Sequence, residues 1–205
     1  MHELNLHDTR VHAAMQLVDR RHFLPPERRR DARVDAPIGI GFEQTTSQPT
    51  LIAWMLEQLR LKPGMKVLEV GTGCGYQTAL LSQLGAEVYS VEIVAPLAEQ
   101  AAQTLARLET PHVHLRTGDG YAGWPEAAPF DAIIVAAGAA KVPQPLIEQL
   151  APGGRLLMPK GVGEQMALVL VTRAPGGEVH TEELLPVRFV PLTGAPAEAD
   201  RLQSL

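Results

Sequence analysis

Apolar residues recur at helical spacing in the first third of the chain. A first set, within residues 11–18, predicts a short amphipathic helix that ends before a pair of prolines. A second set, within residues 51–59, predicts a helix that begins at Ser47-Gln48-Pro49, where a hydroxyl cap precedes a first-turn proline. The stretch between these helices is predicted to be irregular as far as Gly41.

After residue 62 the pattern changes to short apolar runs that alternate with helical stretches. The predicted strands are Lys66–Val70, Glu87–Val91, His112–Arg116, Asp131–Val135 and Arg155–Met158, and the predicted helices are Tyr76–Leu84, Ala95–Leu108 and Gln144–Leu150. Two further strands, Ala167–Thr172 and Val179–Val187, flank Pro175-Gly176-Gly177. The pattern predicts an α/β fold with a doubly wound, mostly parallel sheet, an antiparallel C-terminal edge hairpin and an N-terminal helical extension.

A glycine-rich turn follows the first of the parallel strands, where a helix begins. Its glycines, Gly71, Gly73 and Gly75, allow a ligand to approach backbone N–H groups at a helix N-terminus. Glu69 precedes the turn, where its carboxylate would repel the diphosphate of NAD and suit the ammonium group of S-adenosylmethionine. Glu92 ends the next strand, where an acid can accept hydrogen bonds from a ribose diol. Each acid alone could equally be a solvated strand end, but the pair favours S-adenosylmethionine over NAD.

Composition indicates an ordinary globular chain. Its 205 residues, 45% of them hydrophobic, suffice for one domain over residues 1–205, which we divide into a substrate-side segment (1–62), a donor-binding core (63–160) and a C-terminal hairpin with tail (161–205). A net charge of −5 gives no general attraction to nucleic acid or to anionic membranes. Cys74 is the sole cysteine, and no signal peptide or membrane-spanning stretch is evident, so we expect a cytoplasmic monomer.

The chain resembles the protein-L-isoaspartate O-methyltransferases, which are class I S-adenosylmethionine-dependent enzymes. Matching blocks cover nearly the whole sequence, and they include the glycine-rich turn, Gly118-Asp-Gly120, Phe130-Asp-Ala132, Gly153-Gly-Arg155 and Arg188-Phe-Val-Pro-Leu192. The most specific of them is Gln44-Thr-Thr-Ser-Gln-Pro49, because the glycine-rich turn is shared with many methyltransferases. The resemblance implies a Rossmann-like methyltransferase sheet and S-adenosyl-L-methionine as methyl donor, with no metal.

The resemblance also implies roles for particular residues. Ser47 would orient the acceptor carboxylate, although it could instead be a simple helix cap. Asp119 and Gly120 would contact the adenine, and Thr193 would reach the site from the C-terminal segment. The remaining donor-side residues line the turn or the segment before Ser47; they are Gln44, Thr45, Thr46 and Thr72.

The implied reaction is methylation of the free α-carboxylate of L-isoaspartyl residues in damaged proteins or peptides, which starts their repair to aspartate. Glu43, Thr46 and Thr50 depart from the usual family motif, and an added acid at position 43 could repel an anionic acceptor. Two alternatives therefore stay open: a carboxyl methyltransferase for a dedicated aspartyl peptide or small-molecule acid, and a donor-binding protein without turnover. A dehydrogenase and a nucleic-acid methyltransferase are less favoured, because the acids suit no diphosphate and no basic aromatic patch is visible.

Overall fold

A mixed sheet of seven strands organises residues 4–194, the range described by the computed structural model. Residues 1–3 and 195–205, the two ends of the predicted domain, lie outside that range. The sheet strands are β3 (Lys66–Val70), β4 (Glu87–Glu92), β5 (Val113–Thr117), β6 (Phe130–Val135), β7 (Leu150–Val162), β8 (Gln165–Arg173) and β9 (Val179–Val187). A separate antiparallel pair consists of β1 (Ile38–Gly41) and β2 (Gln44–Thr46). The helices are α1 (Thr9–Leu17), α2 (Pro49–Leu59), α3 (Tyr76–Gln83), α4 (Ala95–Arg107) and α5 (Gln144–Glu148).

The strand order β5-β4-β3-β6-β7-β8-β9 confirms the predicted doubly wound sheet. Strand β3 pairs in parallel with β4 on one side and with β6 on the other, so the order reverses at β3. In such sheets the ligand crevice opens at the carboxyl ends of the strands beside the reversal. The turn that follows β3 therefore lies where a ligand is expected. Strands β8 and β9 form the predicted antiparallel edge hairpin.

Apolar layers cover both faces of the sheet, because successive side chains of a buried parallel strand point to opposite sides. Val67 packs with the buried side chains of α1, α2 and α3 on one face. Leu68 and Val70 pack on the other face with Tyr121, Leu146 and Phe130. No helix within residues 4–194 has the length and apolar character needed to cross a membrane.

Most differences from the predicted elements concern the N-terminal segment. The first helix ends at Leu17, ahead of Asp19 and the prolines, and short 3-10 helices follow at Arg20–Phe23 and Pro26–Asp31. The prediction of an irregular stretch up to Gly41 was wrong, since this stretch contains one of those 3-10 helices and strand β1. Strand β7 is longer than predicted at both ends. It begins before a register shift, at which residues 151–154 have no partner on β6, and it continues to Val162 by pairing with β8.

Candidate active site

The glycine-rich turn is a tight bend between β3 and α3. Gly71, Gly73 and Gly75 all have positive φ, at 93°, 54° and 87°, which side chains with a Cβ rarely adopt. Gly75 is also the N-cap of α3, and its N–H donates to the carbonyl of Thr72 at 2.9 Å. The turn therefore presents main-chain atoms to the crevice.

Glu69 lies beneath this turn and is completely buried. Its carboxylate accepts hydrogen bonds from Gln77 Nε2 at 2.9 Å, from Ser90 Oγ at 2.6 Å and from the hydroxyl of Thr78. The Ser90 hydroxyl also bonds Thr72 Oγ1 at 2.6 Å, so the Thr72 side chain belongs to the same buried network. Desolvation outweighs these bonds and raises the pKa of Glu69 to about 7. The alternative of a solvated strand end is wrong for Glu69, which supports the turn from below.

Glu92 is the carboxylate that faces the crevice. It is the last residue of β4, and its side chain accepts from the N–H of Gly73 at 2.8 Å and from the N–H of Val94 at 2.9 Å. These bonds fix the carboxylate against the glycine turn while it lines a small cavity at the strand ends. Each oxygen retains lone pairs that a diol can use.

Residues 188–194 form a segment that we call the C-terminal strap, and residues 190–193 of it line the same small cavity. The strap is held by Gly138, whose N–H donates to the carbonyl of Val190 at 2.8 Å and whose carbonyl accepts from the N–H of Leu192 at 2.7 Å. Thr193 lines the cavity as part of the strap. Gly194 then packs against Asp119, so closely that a Cβ there would lie 2.2 Å from Asp119 Oδ1.

Asp119 and Gly120 approach the cavity from the end of β5. Asp119 accepts from the N–H of Tyr121 at 2.9 Å and begins a short 3-10 helix. Gly120 lines the cavity, and a Cβ at this position would lie 2.3 Å from Val70 Cγ1. The backbone can therefore come this close to β3 only because residue 120 is glycine.

The β1–β2 hairpin forms the opposite wall of the crevice. Gln44 and Thr45 line the cavity that contains Glu92, while Thr45 and Thr46 line a neighbouring one beside the glycine turn. These cavities measure about 70 and 40 Å³, whereas ligand sites usually enclose roughly 300–1,000 Å³. The hairpin and the strap thus lie close together over the crevice.

Ser47 occupies the junction between this crevice and a larger cavity of about 500 Å³. The larger cavity is lined by apolar residues that include Leu51, Leu185 and Phe189, and also by Arg188. Thr45 and Ala136 line both the large cavity and the crevice, so the two spaces adjoin. Two ligands, one bound in each space, could meet beside Ser47.

Helix α2 does not use the Ser47 hydroxyl as its cap, which corrects the prediction made from the sequence. The N-cap is Gln48, and the first-turn N–H of Thr50 donates to Asp35 Oδ1 at 2.8 Å. Within the described residues, the Ser47 hydroxyl has no hydrogen-bond partner. Its carbonyl accepts from Arg20 Nη2 at 3.0 Å. The hydroxyl is therefore available to a ligand.

Residues 2–197 match the family model of protein-L-isoaspartate(D-aspartate) O-methyltransferase. The chain belongs to this family. It is 53% identical over 184 residues to the protein-L-isoaspartate O-methyltransferase of Gloeobacter violaceus, covering 89% of both chains. It is 53% identical over 195 residues to the Anaeromyxobacter dehalogenans enzyme of the same name, covering 94% of this chain and 93% of that one.

Solved structures of protein-L-isoaspartate O-methyltransferases share the fold. One aligns with a TM-score of 0.84 and 29% identity, over 95% of this chain and 65% of that chain. Another, a Plasmodium falciparum protein described as a protein-L-isoaspartate O-methyltransferase in complex with S-adenosyl-L-homocysteine, aligns with a TM-score of 0.80 and 27% identity over 91% of both chains. The Rossmann-like methyltransferase fold implied by the resemblance is thus confirmed.

In this protein-L-isoaspartate O-methyltransferase family member, the sequence did not predict the contacts that Arg20 and Asp35 make beside Ser47. Arg20 is buried, and its guanidinium bonds the carbonyls of Val34, Ala36 and Ser47. Local patterns could not reveal these contacts, since they join parts of the chain that are far apart in sequence. Among residues 4–194, no group of three or more His, Cys, Asp or Glu side chains could hold a metal ion.

Proposed function

We propose that this protein transfers a methyl group from S-adenosyl-L-methionine to the free α-carboxylate of L-isoaspartyl residues in damaged proteins or peptides. The position of Ser47 is the observation that carries the proposal. Its hydroxyl is free of cap bonding at the meeting point of a donor-side crevice and a cavity of about 500 Å³. Membership of the protein-L-isoaspartate(D-aspartate) O-methyltransferase family supports the same reaction.

The hydrogen-bonding groups around the crevice have the chemistry to bind a sulfonium nucleoside. Glu92 would accept hydrogen bonds from the ribose hydroxyls, the glycine turn would receive the amino-acid part, and Gly120 with Asp119 would hold the adenine side. Gln44, Thr45 and Thr46 would line the opposite side, with Thr193 at the strap. Glu69, with Thr72 in its network, would keep the turn in shape, since its carboxylate is used by Gln77, Thr78 and Ser90.

Acceptor chemistry needs alignment more than proton transfer. An α-carboxylate is already ionised near pH 7, so no general base is required. Holding nucleophile and methyl carbon in line can lower the barrier by roughly 7–11 kcal/mol. The attraction between a carboxylate and a sulfonium about 4 Å apart is only about 4 kcal/mol at an effective dielectric near 20. The Ser47 hydroxyl would supply alignment by donating to the carboxylate oxygen that is not methylated.

Two of the three unusual motif residues, Glu43 and Thr50, lie away from the cavity proposed for the acceptor. Glu43 lies at the exposed tip of the β1–β2 hairpin, and neither Glu43 nor Thr50 is among the described residues that line the cavity of about 500 Å³. An acid at position 43 therefore makes no direct contact with a carboxylate in that cavity, and its exposure to water screens its charge. The alternative of a dedicated aspartyl or small-molecule acceptor is less favoured for this reason, and because the relatives carry the isoaspartate name.

The decisive test compares methyl-ester formation on an isoaspartyl peptide and on its aspartyl twin, using wild type and Ser47→Ala. We expect turnover with the isoaspartyl peptide alone. The variant should lose about 10–100-fold in kcat/KM, since a hydrogen bond to a charged group contributes roughly 1.5–3 kcal/mol. Affinity for S-adenosylhomocysteine should stay within about threefold.

Thr50→Ala is the matched control, because it removes a nearby hydroxyl that has no assigned contact. It should keep wild-type kinetics. Equal turnover of both peptides would defeat the repair assignment, and binding of the donor without any turnover would favour the donor-binding alternative. A fully active Ser47→Ala protein would remove Ser47 from the mechanism.

A further inference from the structure

Arg20 is a buried cation with no acidic partner in hydrogen-bond contact among the described residues. It is 4% exposed, and its guanidinium donates to the carbonyls of Val34 at 3.1 Å, Ala36 at 3.2 Å and Ser47 at 3.0 Å. Its Nε has no hydrogen-bond partner within residues 4–194. A buried charge is costly unless it is paired, so a guanidinium bonded solely to carbonyls calls for a functional explanation.

The groups around Arg20 compensate its charge only in part. The Tyr76 ring lies 5.9 Å from Arg20 Cζ and contributes a weak cation–π contact. The exposed Asp35 carboxylate is near enough to interact with Arg20 through space, but it bonds the N–H of Thr50 instead. Desolvation lowers the pKa of Arg20, yet a guanidinium remains protonated at any physiological pH. The region behind Ser47 is therefore positive.

The hydrogen bond to the Ser47 carbonyl holds the Arg20 cation close to the candidate acceptor site. Arg20 Nη2 lies 3.0 Å from the carbonyl oxygen of Ser47, so the cation contacts the same residue whose hydroxyl we assign to the acceptor site. The same guanidinium ties Ser47 to residues 34–36, which precede the β1–β2 hairpin. Arg20 is not among the described residues that line the cavities around Ser47. Any effect on an acceptor must therefore pass through Ser47 and through the electric field.

We propose that Arg20 is a positioning residue for acceptor recognition: it fixes the Ser47 backbone and supplies the positive field that selects a carboxylate over a neutral group at that place. This inference rests on the proposed function and adds to it the source of selectivity for an anionic acceptor. Unit charges several ångströms apart at an effective dielectric near 20 change anion affinity by roughly one to two orders of magnitude. The positive field of Arg20 should strengthen binding of the carboxylate more than it speeds methyl transfer. The carboxylate becomes a neutral ester in the reaction, so its attraction to the cation weakens on the way to the transition state.

The experiment measures peptide binding to the complex with S-adenosylhomocysteine, using two peptides that are identical except at the isoaspartyl residue. One carries the free α-carboxylate and the other an α-carboxamide, and the ratio of their dissociation constants reports charge selection. Wild type should prefer the carboxylate about tenfold. Arg20→Gln should reduce the preference to about twofold or less, and Arg20→Lys, which keeps the charge, should retain most of it.

Steady-state kinetics give a second readout. Arg20→Gln should raise KM for the isoaspartyl peptide about tenfold, while kcat falls less than about threefold and S-adenosylhomocysteine affinity is unchanged. A purely structural role would lower kcat and donor affinity as well. If Arg20→Gln folds, binds S-adenosylhomocysteine and keeps the tenfold preference, the assignment of Arg20 is overturned.

Asp35→Asn provides a test that leaves Arg20 in place, in case the Gln variant does not fold. Asn keeps an oxygen that can accept from the N–H of Thr50, but it removes the neighbouring negative charge. The preference for the carboxylate should increase about twofold, and an unchanged or smaller preference contradicts the proposal. Wild type that binds neither peptide would refute the proposed function itself, whereas a preference that survives Arg20→Gln refutes only the role of Arg20.

Discussion

At the scale of single residues, Glu69 shows how burial competes with hydrogen bonding. Its carboxylate accepts from Gln77, Thr78 and Ser90, each of which favours the charged form. Complete burial favours the neutral form more strongly, so the pKa rises from 4.5 to about 7. The folded protein therefore binds a proton more tightly than the unfolded chain does between these values. The stabilising effect of that proton is complete below pH 4.5 and is lost as pH rises through about 7.

Glu69→Gln should remove this pH dependence, because a neutral amide can bond the same hydroxyls without paying for a buried charge. The free energy of unfolding of wild type should fall relative to the variant by about 3 kcal/mol between pH 4.5 and pH 8. Urea unfolding of both proteins across this range measures the difference. The exposed Glu99→Gln serves as control and should follow wild type. A constant difference between wild type and Glu69→Gln would show that Glu69 is charged throughout.

At the scale of secondary-structure elements, the β1–β2 hairpin and helix α2 together place Ser47. The hairpin turns through Phe42 and Glu43, which have positive φ of 52° and 59°. Backbone strain of this kind is often found near functional sites. Helix α2 begins two residues after Ser47, and the first-turn N–H of Thr50 donates to Asp35, which lies ahead of the hairpin. A single carboxylate thus fastens the segment that carries Gln44, Thr45 and Thr46 to the start of the helix.

Asp35→Ala should destabilise the protein, since it removes the acceptor for the first-turn N–H of Thr50. Loss of such a cap typically costs about 1 kcal/mol. Ser47→Ala should change the free energy of unfolding by less than about 0.5 kcal/mol, because its hydroxyl bonds no described residue. Chemical denaturation of the two variants beside wild type makes the comparison. If Ser47→Ala destabilised the protein and Asp35→Ala did not, the result would support the Ser47 cap that the sequence predicts.

At the scale of the whole molecule, the crevice is closed by parts that are distant in sequence. The hairpin lies in the first quarter of the chain, the glycine turn and Glu92 in the middle, and the strap near residue 190. Asp119 and Gly194 connect the end of β5 to the strap. Ligand binding in this crevice should therefore stabilise the whole fold rather than one element.

S-adenosylhomocysteine at about 100 times its dissociation constant should stabilise the protein by about 2.7 kcal/mol. For a chain of this size that corresponds to a rise in Tm of about 5–11 °C. NAD at the same concentration should give no rise, because Glu92 occupies the turn that a diphosphate would need. Thermal unfolding with each ligand checks this, and Glu92→Ala should lose most of the rise with S-adenosylhomocysteine. If NAD raised Tm and S-adenosylhomocysteine did not, the assignment of this crevice to the methyl donor would be wrong.

The site shows where prediction from sequence succeeds and where it stops. The ends of β3 were predicted to the residue, because its apolar run stops at the glycine turn, and those of β9 because it follows the turn at Pro175-Gly176-Gly177. Glu92 and Gly120 line the crevice because the carboxyl ends of neighbouring parallel strands meet there, and Thr193 lines it from the strap. The sequence placed the Glu69 carboxylate beside the donor's ammonium group, whereas in the structure it is buried and bonds Gln77, Thr78 and Ser90. A strand with both faces buried gives no alternation from which this direction could be predicted.

The sequence by itself determined the alternation of strands and helices, the bend of the glycine turn and the edge hairpin. These features depend on contacts between residues that are close along the chain, so local spacing is sufficient to specify them. The tertiary structure alone decided that Asp35 caps α2, that Arg20 bonds the Ser47 carbonyl and that the strap closes over Glu92. Such pairings join residues far apart in sequence, and they form because buried polar groups must find partners wherever the packed chain brings them together.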